Sequence, residues 1–308
     1  MKLMLIAIGT RGDIEPFLAA GELLIKAGHD VIGVFPDQYG SLAKESGIRF
    51  LPLDKGFIEM IEGEIGQRAL GGNLNAFQKF KAYYKLYKTA KTVNHRVFTE
   101  QFDYIKAENP DRIIHSIKAT VPVHWHHMTS KPILMLSPIP CITHPIKGKA
   151  SIAFRGRNLG KTLNKWSYKF TRYTAIKYLR GYLKKLGEVD PGQKALEKSL
   201  LAEPALFTVS PSFFNLEDQP SLVHFLGYLE RNKEKHWQPS EELLDFVKKN
   251  KRFLFVTFGS MSNPEPERKT AIILEVLSKL QIPAIINIAG GGLREPKDYD
   301  HAYYQFVK

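Results

Sequence analysis

The sequence is poor in cysteine, in long apolar runs and, over one extended stretch, in acidic residues. Its one cysteine, Cys141, excludes an intrachain disulfide framework and fits a reducing compartment. No apolar run approaches the ~20 residues needed to cross a bilayer. The opening Met1-Lys2-Leu3-Met4-Leu5-Ile6-Ala7-Ile8 is short for a signal peptide. It also leads into Thr10-Arg11-Gly12-Asp13 and not into a small-residue cleavage site, so it is read as a buried strand of a cytoplasmic protein. Repeats of ~20–50 residues and low-complexity tracts are lacking too, which argues against a solenoid or a disordered linker chain.

What is present is ample core and excess positive charge. The chain has 308 residues, 44% of them apolar, and a formal net charge of +13. That size suggests two domains, and that charge favours anionic partners: nucleic acid, an anionic membrane surface or phosphorylated small molecules. Apolar runs at 3–8, 31–35, 49–53, 112–115, 133–136 and 205–209 read as strands. Helical patterns at 14–27 and 38–46 are closed by Gly28 and Gly47. The alternation predicts an α/β fold built on a doubly wound parallel sheet. A second unit of the same kind starts near Gly227, with a helix, strands at 253–258 and 284–288, and an aromatic piece at 303–307. We expect an N-terminal domain over 1–225, a linker over 226–240 and the start of a second, incomplete Rossmann-like domain over 241–308. Segments 58–75 and 139–157 are irregular and are expected to line a site, and 76–96 is expected to be helical and basic.

Each unit has a strand running into a glycine turn that opens a helix, where free N–H groups and the helix dipole suit anions. At Gly259-Ser260-Met261 the turn carries no carboxylate and adds a hydroxyl donor, so it is a candidate diphosphate site. The first turn, Gly9-Thr10-Arg11-Gly12-Asp13, departs from the G-x-G-x-x-G dinucleotide pattern, and Asp13 would repel a pyrophosphate. From the residues alone two roles stand side by side. Asp13 caps the helix, or it is a fixed base that accepts a proton from an incoming hydroxyl.

Four ordered motifs carry a family resemblance: GTRGDIEPFLAAGELLIKAGHDV at 9–31, LGKTLNKWSY at 159–168, SPSFF with FLGYL at 210–229, and FVTFGSM at 255–261. Together they resemble glycosyltransferases of the sterol 3-beta-glucosyltransferase and glycopeptide-antibiotic type, which share the two-domain GT-B fold. The resemblance implies an inverting, metal-independent hexosyl transfer from a nucleotide-diphosphate sugar, UDP-glucose by analogy, to a hydroxyl of a hydrophobic acceptor. It assigns Asp13 as the general base, Gly12, Gly259 and Ser260 to the donor diphosphate, and Thr10 and Arg11 to the acceptor loop beside the base. No cofactor is expected beyond the co-substrate. Two departures stand out. The family's His-His-Gly-Gly segment is absent, and Ala289-Gly290-Gly291-Gly292-Leu293 lacks the tryptophan of the usual Gly-Trp-Gly-Gly-Leu stretch. The chain is therefore expected to be a piece of a longer enzyme, or a shortened, non-catalytic remnant that binds a lipid-like ligand.

Other motifs are weaker. His124 and His127 share a helical spacing but lack the further ligands of a tetrahedral metal site, and Asp298-Tyr299-Asp300 is read as solvated surface. From Arg155 to Lys185 there are ten Lys or Arg and no acid, interleaved with aromatics that include Phe154, Trp166, Phe170 and Tyr182. Three readings apply: a helix with solvated lysines, a face for single-stranded nucleic acid, or a face for anionic lipid. No nucleic-acid motif accompanies the second. With a lipid-like acceptor, the third expects peripheral docking of residues 154–186 at the inner face of a membrane. Lys161, Lys165, Lys169 and Arg172 would be its solvated cations.

Overall fold

The computed structural model describes residues 1–56, 76–214, 219–231, 237–259, 265–288 and 292–307, with the side chains of 76–87 left out. The expected pocket segment 58–75 lies outside the described residues, as does Ser260. The chain divides into two compact units, Met1–Lys55 with Val93–Asn232 and Gly56–Thr92 with Lys233–Lys308.

The first unit is built on seven parallel strands: β1 (Lys2–Ile6), β2 (Asp30–Pro36), β3 (Arg49–Leu53), β4 (Arg112–His115), β5 (Ile133–Ser137), β6 (Ala205–Phe207) and β7 (Val223–Phe225). They run in the order β3-β2-β1-β4-β5-β6-β7. The order reverses direction between β1 and β4, which makes the carboxyl ends of those two strands the switch point where open α/β sheets bind ligands. Strands flanked on both faces should be continuously apolar, and Met4, Leu5, Ile6, Ile32 and Ile113 are indeed fully buried.

Helix α1 (Arg11–Lys26) lays Ile14, Phe17 and Leu18 into a core with Leu5, Val31, Phe35 and Ile48. Pro16 lies inside α1, where its ring removes the N–H that would bond the Gly12 carbonyl. Among the described residues, further helices before β7 are α2 (Gly40–Glu45), α3 (Ala76–Glu108), α4 (Val121–Thr129), α5 (Lys161–Leu186) and α6 (Gln193–Ala202). In α5, Tyr168, Ile176, Leu179 and Leu183 are buried, and Tyr182 stacks on Phe98 of α3 with ring centroids 4.3 Å apart.

The second unit has three parallel strands, β8 (Leu254–Thr257), β9 (Ala284–Asn287) and β10 (Tyr304–Val307), in the order β10-β9-β8. Helices α7 (Glu241–Lys249) and α8 (Pro266–Leu280) accompany them. Its core gathers Leu277, Ala284, Ile286, Leu293, Tyr304 and Phe306. Among the described residues no helix is long and apolar enough to cross a membrane.

Several elements differ from expectation. The basic helix expected to stop at 96 runs on to Glu108, and helix α6 and strand β7 were not anticipated. Arg172, grouped by sequence with solvated cations, is buried: its Nη1 donates to the Thr143 carbonyl at 3.0 Å. It faces inward because it lies four residues after Tyr168 and four before Ile176, on the buried side of α5.

Candidate active site

Asp13 occupies the first turn of α1, directly after β1. Its own N–H donates to the Thr10 carbonyl at 2.8 Å, and its Oδ2 accepts from the Thr10 N–H at 2.9 Å. The Thr10 hydroxyl lies 3.4 Å from the same oxygen. The carboxylate thus reaches back to cap the residue that opens the helix, which both holds the side chain and suits the positive end of the dipole. Lys118, in the loop after β4, brings its Nζ to 3.0 Å from Oδ2. Oδ2 therefore receives three contacts, whereas among the described residues no hydrogen bond reaches Oδ1.

Gly9 makes this geometry feasible. Its φ is +148°, and a Cβ placed on it would lie 2.0 Å from Asp13 Oδ2 and 2.4 Å from Cγ. The carboxylate occupies the space a side chain would take. Two further bonds tie the loops after β1 and β4 together. Ser116 N–H donates to the Ile6 carbonyl at 2.8 Å, and Ile8 N–H donates to Ser116 Oγ at 3.3 Å. A turn closed by Ala119 N–H to the Ser116 carbonyl, 2.9 Å, carries Lys118. Register sets the match: Ile6 of β1 pairs with His115 of β4, so the two loops leave the sheet at the same level.

The other residues expected at the site behave differently. Arg11 turns along the helix to bond Glu15 Oε1 through Nε at 2.9 Å, away from Asp13. Glu15 is also held by buried Arg231, whose Nε lies 2.8 Å from Oε2. Gly12 is exposed, with open space where a Cβ would be. Gly259 is exposed in a left-handed conformation at φ +66°, and its N–H donates to Thr257 Oγ1 at 3.1 Å. Helix α8 starts at Pro266, behind a left-handed Glu265.

The histidines of α4 are engaged internally. His124 Nε2 is 2.8 Å from the Val189 carbonyl, His126 Nδ1 is 2.7 Å from that of Lys131, and His127 Nδ1 is 3.1 Å from Ser199 Oγ. Sequence reasoning missed a different histidine, His115. It is fully buried at the end of β4, with Nε2 2.7 Å from Glu203 Oε2. Burial opposes its charged form, yet the charge and hydrogen bond of Glu203 prevail, so the imidazole is raised above its ordinary value. His144 continues the network, its Nε2 3.2 Å from the Glu203 carbonyl.

A doubly wound parallel sheet with a held carboxylate at its switch point, followed in the chain by a second parallel α/β unit, is the arrangement of the GT-B fold. Residues 3–144 match the Glycosyltransferase family 28 N-terminal domain. Sequence relatives include the sterol 3-beta-glucosyltransferase of Pichia angusta, 23% identical over 93% of this chain and 23% of its own length. Another is sterol 3-beta-glucosyltransferase UGT80A2 of Arabidopsis thaliana, 23% identical over 97% of this chain and 48% of its own. The chain thus spans less than half the length of these relatives. The glycotransferase of kitacinnamycin shares the fold at a TM-score of 0.58 and 14% identity, over 99% of this chain and 70% of that one. The calicheamicin glycosyltransferase CalG4 does so at 0.57 and 15%, over 99% and 70%.

Proposed function

We propose that the chain is part of an inverting, metal-independent glycosyltransferase that moves a hexose from a nucleotide-diphosphate sugar to a hydroxyl of a hydrophobic acceptor. Residues 1–225 hold the acceptor, and 241–308 open the donor-binding domain after a linker over 226–240. The observation that carries the reading is Asp13, held through Oδ2 at the switch point, with no hydrogen bond from the described residues at Oδ1. An acceptor hydroxyl donates its proton to Oδ1. Its oxygen then bonds to the anomeric carbon as the bond to the diphosphate breaks, and attack from the face opposite the leaving group inverts that carbon. The donor is a UDP-sugar, glucose by analogy with the sterol glucosyltransferases. Use of a nucleoside diphosphate has a parallel in the structural neighbour SsfS6, solved with thymidine diphosphate. Gly12, Gly259 and Ser260 contribute to the diphosphate site, and Thr10 lines the acceptor side of the base.

The acceptor class is a sterol, lipid or comparable apolar alcohol collected at a membrane. The start of α5 supports this. Trp166 and Phe170 are exposed and stacked at 5.5 Å, with Phe154 edge-on to both at 5.6 and 5.9 Å. Ile152 and Leu163 are exposed nearby in the chain, and Arg155, Arg157, Lys161, Lys165 and Lys169 are exposed among them. Apolar side chains interspersed with cations fit the interface of an anionic leaflet, on the cytoplasmic side of the membrane.

The test is a screen of UDP-sugars against sterol and lipid acceptors with the whole protein, wild type and Asp13→Asn. The amide keeps the shape of the side chain but cannot take the proton, so a loss of ~10²–10⁴-fold in kcat is expected. Near-normal turnover by the variant would reduce Asp13 to a cap.

A further inference from the structure

We propose that Lys118 is a positioning residue for the Asp13 base, occupying Oδ2 so that Oδ1 alone is presented to the acceptor hydroxyl. The inference rests on the reading of Asp13 as base and extends it to a residue 105 positions away.

Three observations carry it. First, the two side chains come from the first turn of α1, after β1, and from the loop after β4, and β1 and β4 flank the switch point. Second, the contacts are one-sided: the Lys118 ammonium at 3.0 Å, the Thr10 N–H at 2.9 Å and the Thr10 hydroxyl at 3.4 Å all address Oδ2. A carboxylate free to rotate would exchange its oxygens, whereas one held by a cation and an amide keeps a single oxygen forward. Third, the neighbouring cations are committed elsewhere. Arg11 and Arg231 both bind Glu15, with Arg231 also 3.6 Å from Glu45. Lys118 is thus the ammonium or guanidinium that the described residues bring to Asp13.

The Lys118 stem is long, and its side chain is 39% exposed, so the contact is not a by-product of core packing. Its backbone, by contrast, is fixed by the 116–119 turn and by the Ser116 bonds to β1. That combination suits a residue whose task is to hold another group. In the reaction the proton moves from the acceptor oxygen to Oδ1 while the ammonium stays on Oδ2 and transfers no proton itself. Its removal should therefore loosen the aim of the base.

The experiment compares wild type, Lys118→Met, Lys118→Arg and Asp13→Asn in the whole protein, with the donor and acceptor pair found by the screen above. Thermal melts check that each variant folds. For Lys118→Met we expect kcat to fall roughly tenfold, less than the ~10²–10⁴-fold of losing the base, at nearly constant acceptor KM. Lys118→Arg, which keeps a cation at Oδ2, should restore most of kcat. Added to Asp13→Asn, Lys118→Met should cost nothing further, because Lys118 acts only through the carboxylate. An unchanged kcat in Lys118→Met, no recovery in Lys118→Arg, or a further loss in the double variant overturns the proposal. If Asp13→Asn stays active, the base reading fails and this inference with it. Inactive Asp13→Asn with a normal kcat in Lys118→Met removes Lys118 alone.

Discussion

Replacing Gly9 by alanine should disable the site without touching a charged group. The new Cβ would start 2.0 Å from Asp13 Oδ2 and 2.7 Å from the Asp13 Cβ. Ordinary contact needs about 3.5 Å, so either the loop or the carboxylate must move by more than about 1 Å. The loop is pinned by the Ile8 bond to Ser116 and the Thr10 bond to Asp13, and the side chain is the softer partner. If the carboxylate swings away, it leaves the Thr10 N–H and Lys118. Each hydrogen bond to a charged group is worth about 1.5–3 kcal/mol. Misplacing a reacting group by ~1 Å costs about 10²-fold in rate, so kcat of Gly9→Ala should fall at least that far. Because both changes act through the Asp13 carboxylate, Gly9→Ala combined with Asp13→Asn should lose little more than Asp13→Asn alone. Steady-state transfer assays on the three variants read this out, with thermal melts to confirm folding. A Gly9→Ala enzyme with near-normal kcat would refute the reasoning, since the carboxylate would then be functional from some other position.

Two further predictions address the membrane face and the buried pair. Replacing Lys161, Lys165 and Lys169 by glutamine together with Trp166→Ala should abolish flotation with anionic liposomes. Binding by the wild type should weaken as salt shortens the Debye length from ~10 Å at 0.1 M to ~3 Å at 1 M. Equal recovery on neutral and anionic vesicles would remove the membrane assignment. Arg172 is left out of that set because it is buried against Thr143. For His115, whose folded-state value is raised, the stabilising effect of protonation is complete below the unfolded value and is lost as pH climbs through the raised folded one. Thermal stability should therefore decline as pH rises above the ordinary imidazole value, and Glu203→Gln should flatten that dependence. Truncation to Glu203→Ala should cost about 3–5 kcal/mol, the usual consequence of breaking a buried pair. A pH-independent melting curve in the wild type would contradict this account of the pair.

How much of this was legible in the sequence depends on the distance over which each signal acts. β1, β2, β3 and the helix after Gly12 were readable because continuous apolar runs and 3.6-residue spacing are local. β7 was not, since Val-His-Phe at 223–225 is too short to show a period and becomes a strand only by pairing with Ala205–Phe207. Asp13 stood out as a carboxylate in a glycine turn. Lys118 could not be attached to it, because their meeting depends on the parallel pairing of β1 with β4. The pairing of His115 with Glu203 is equally remote, across 88 positions. Arg172 was misread for a different reason: its spacing to Tyr168 and Ile176 marked it as inward-facing, but the surrounding charge run dominated. Nothing in the residues 9–13 alone revealed that the side chain of Asp13 lies where a Cβ of Gly9 would be.

The outermost strand of the second sheet has a practical implication. Among the described residues β8 pairs with β9 alone, and Leu254 and Phe255 are 47% and 55% exposed. No strand among the described residues pairs with the other edge of β8, and the strand holds no proline to blunt it. Such an edge recruits whatever extended segment it meets first. A strand laid on that edge in the whole protein would cover Leu254 and Phe255 and satisfy its backbone groups at once. A charged residue at Phe255 should therefore weaken that pairing, read as a lower melting temperature of the second sheet.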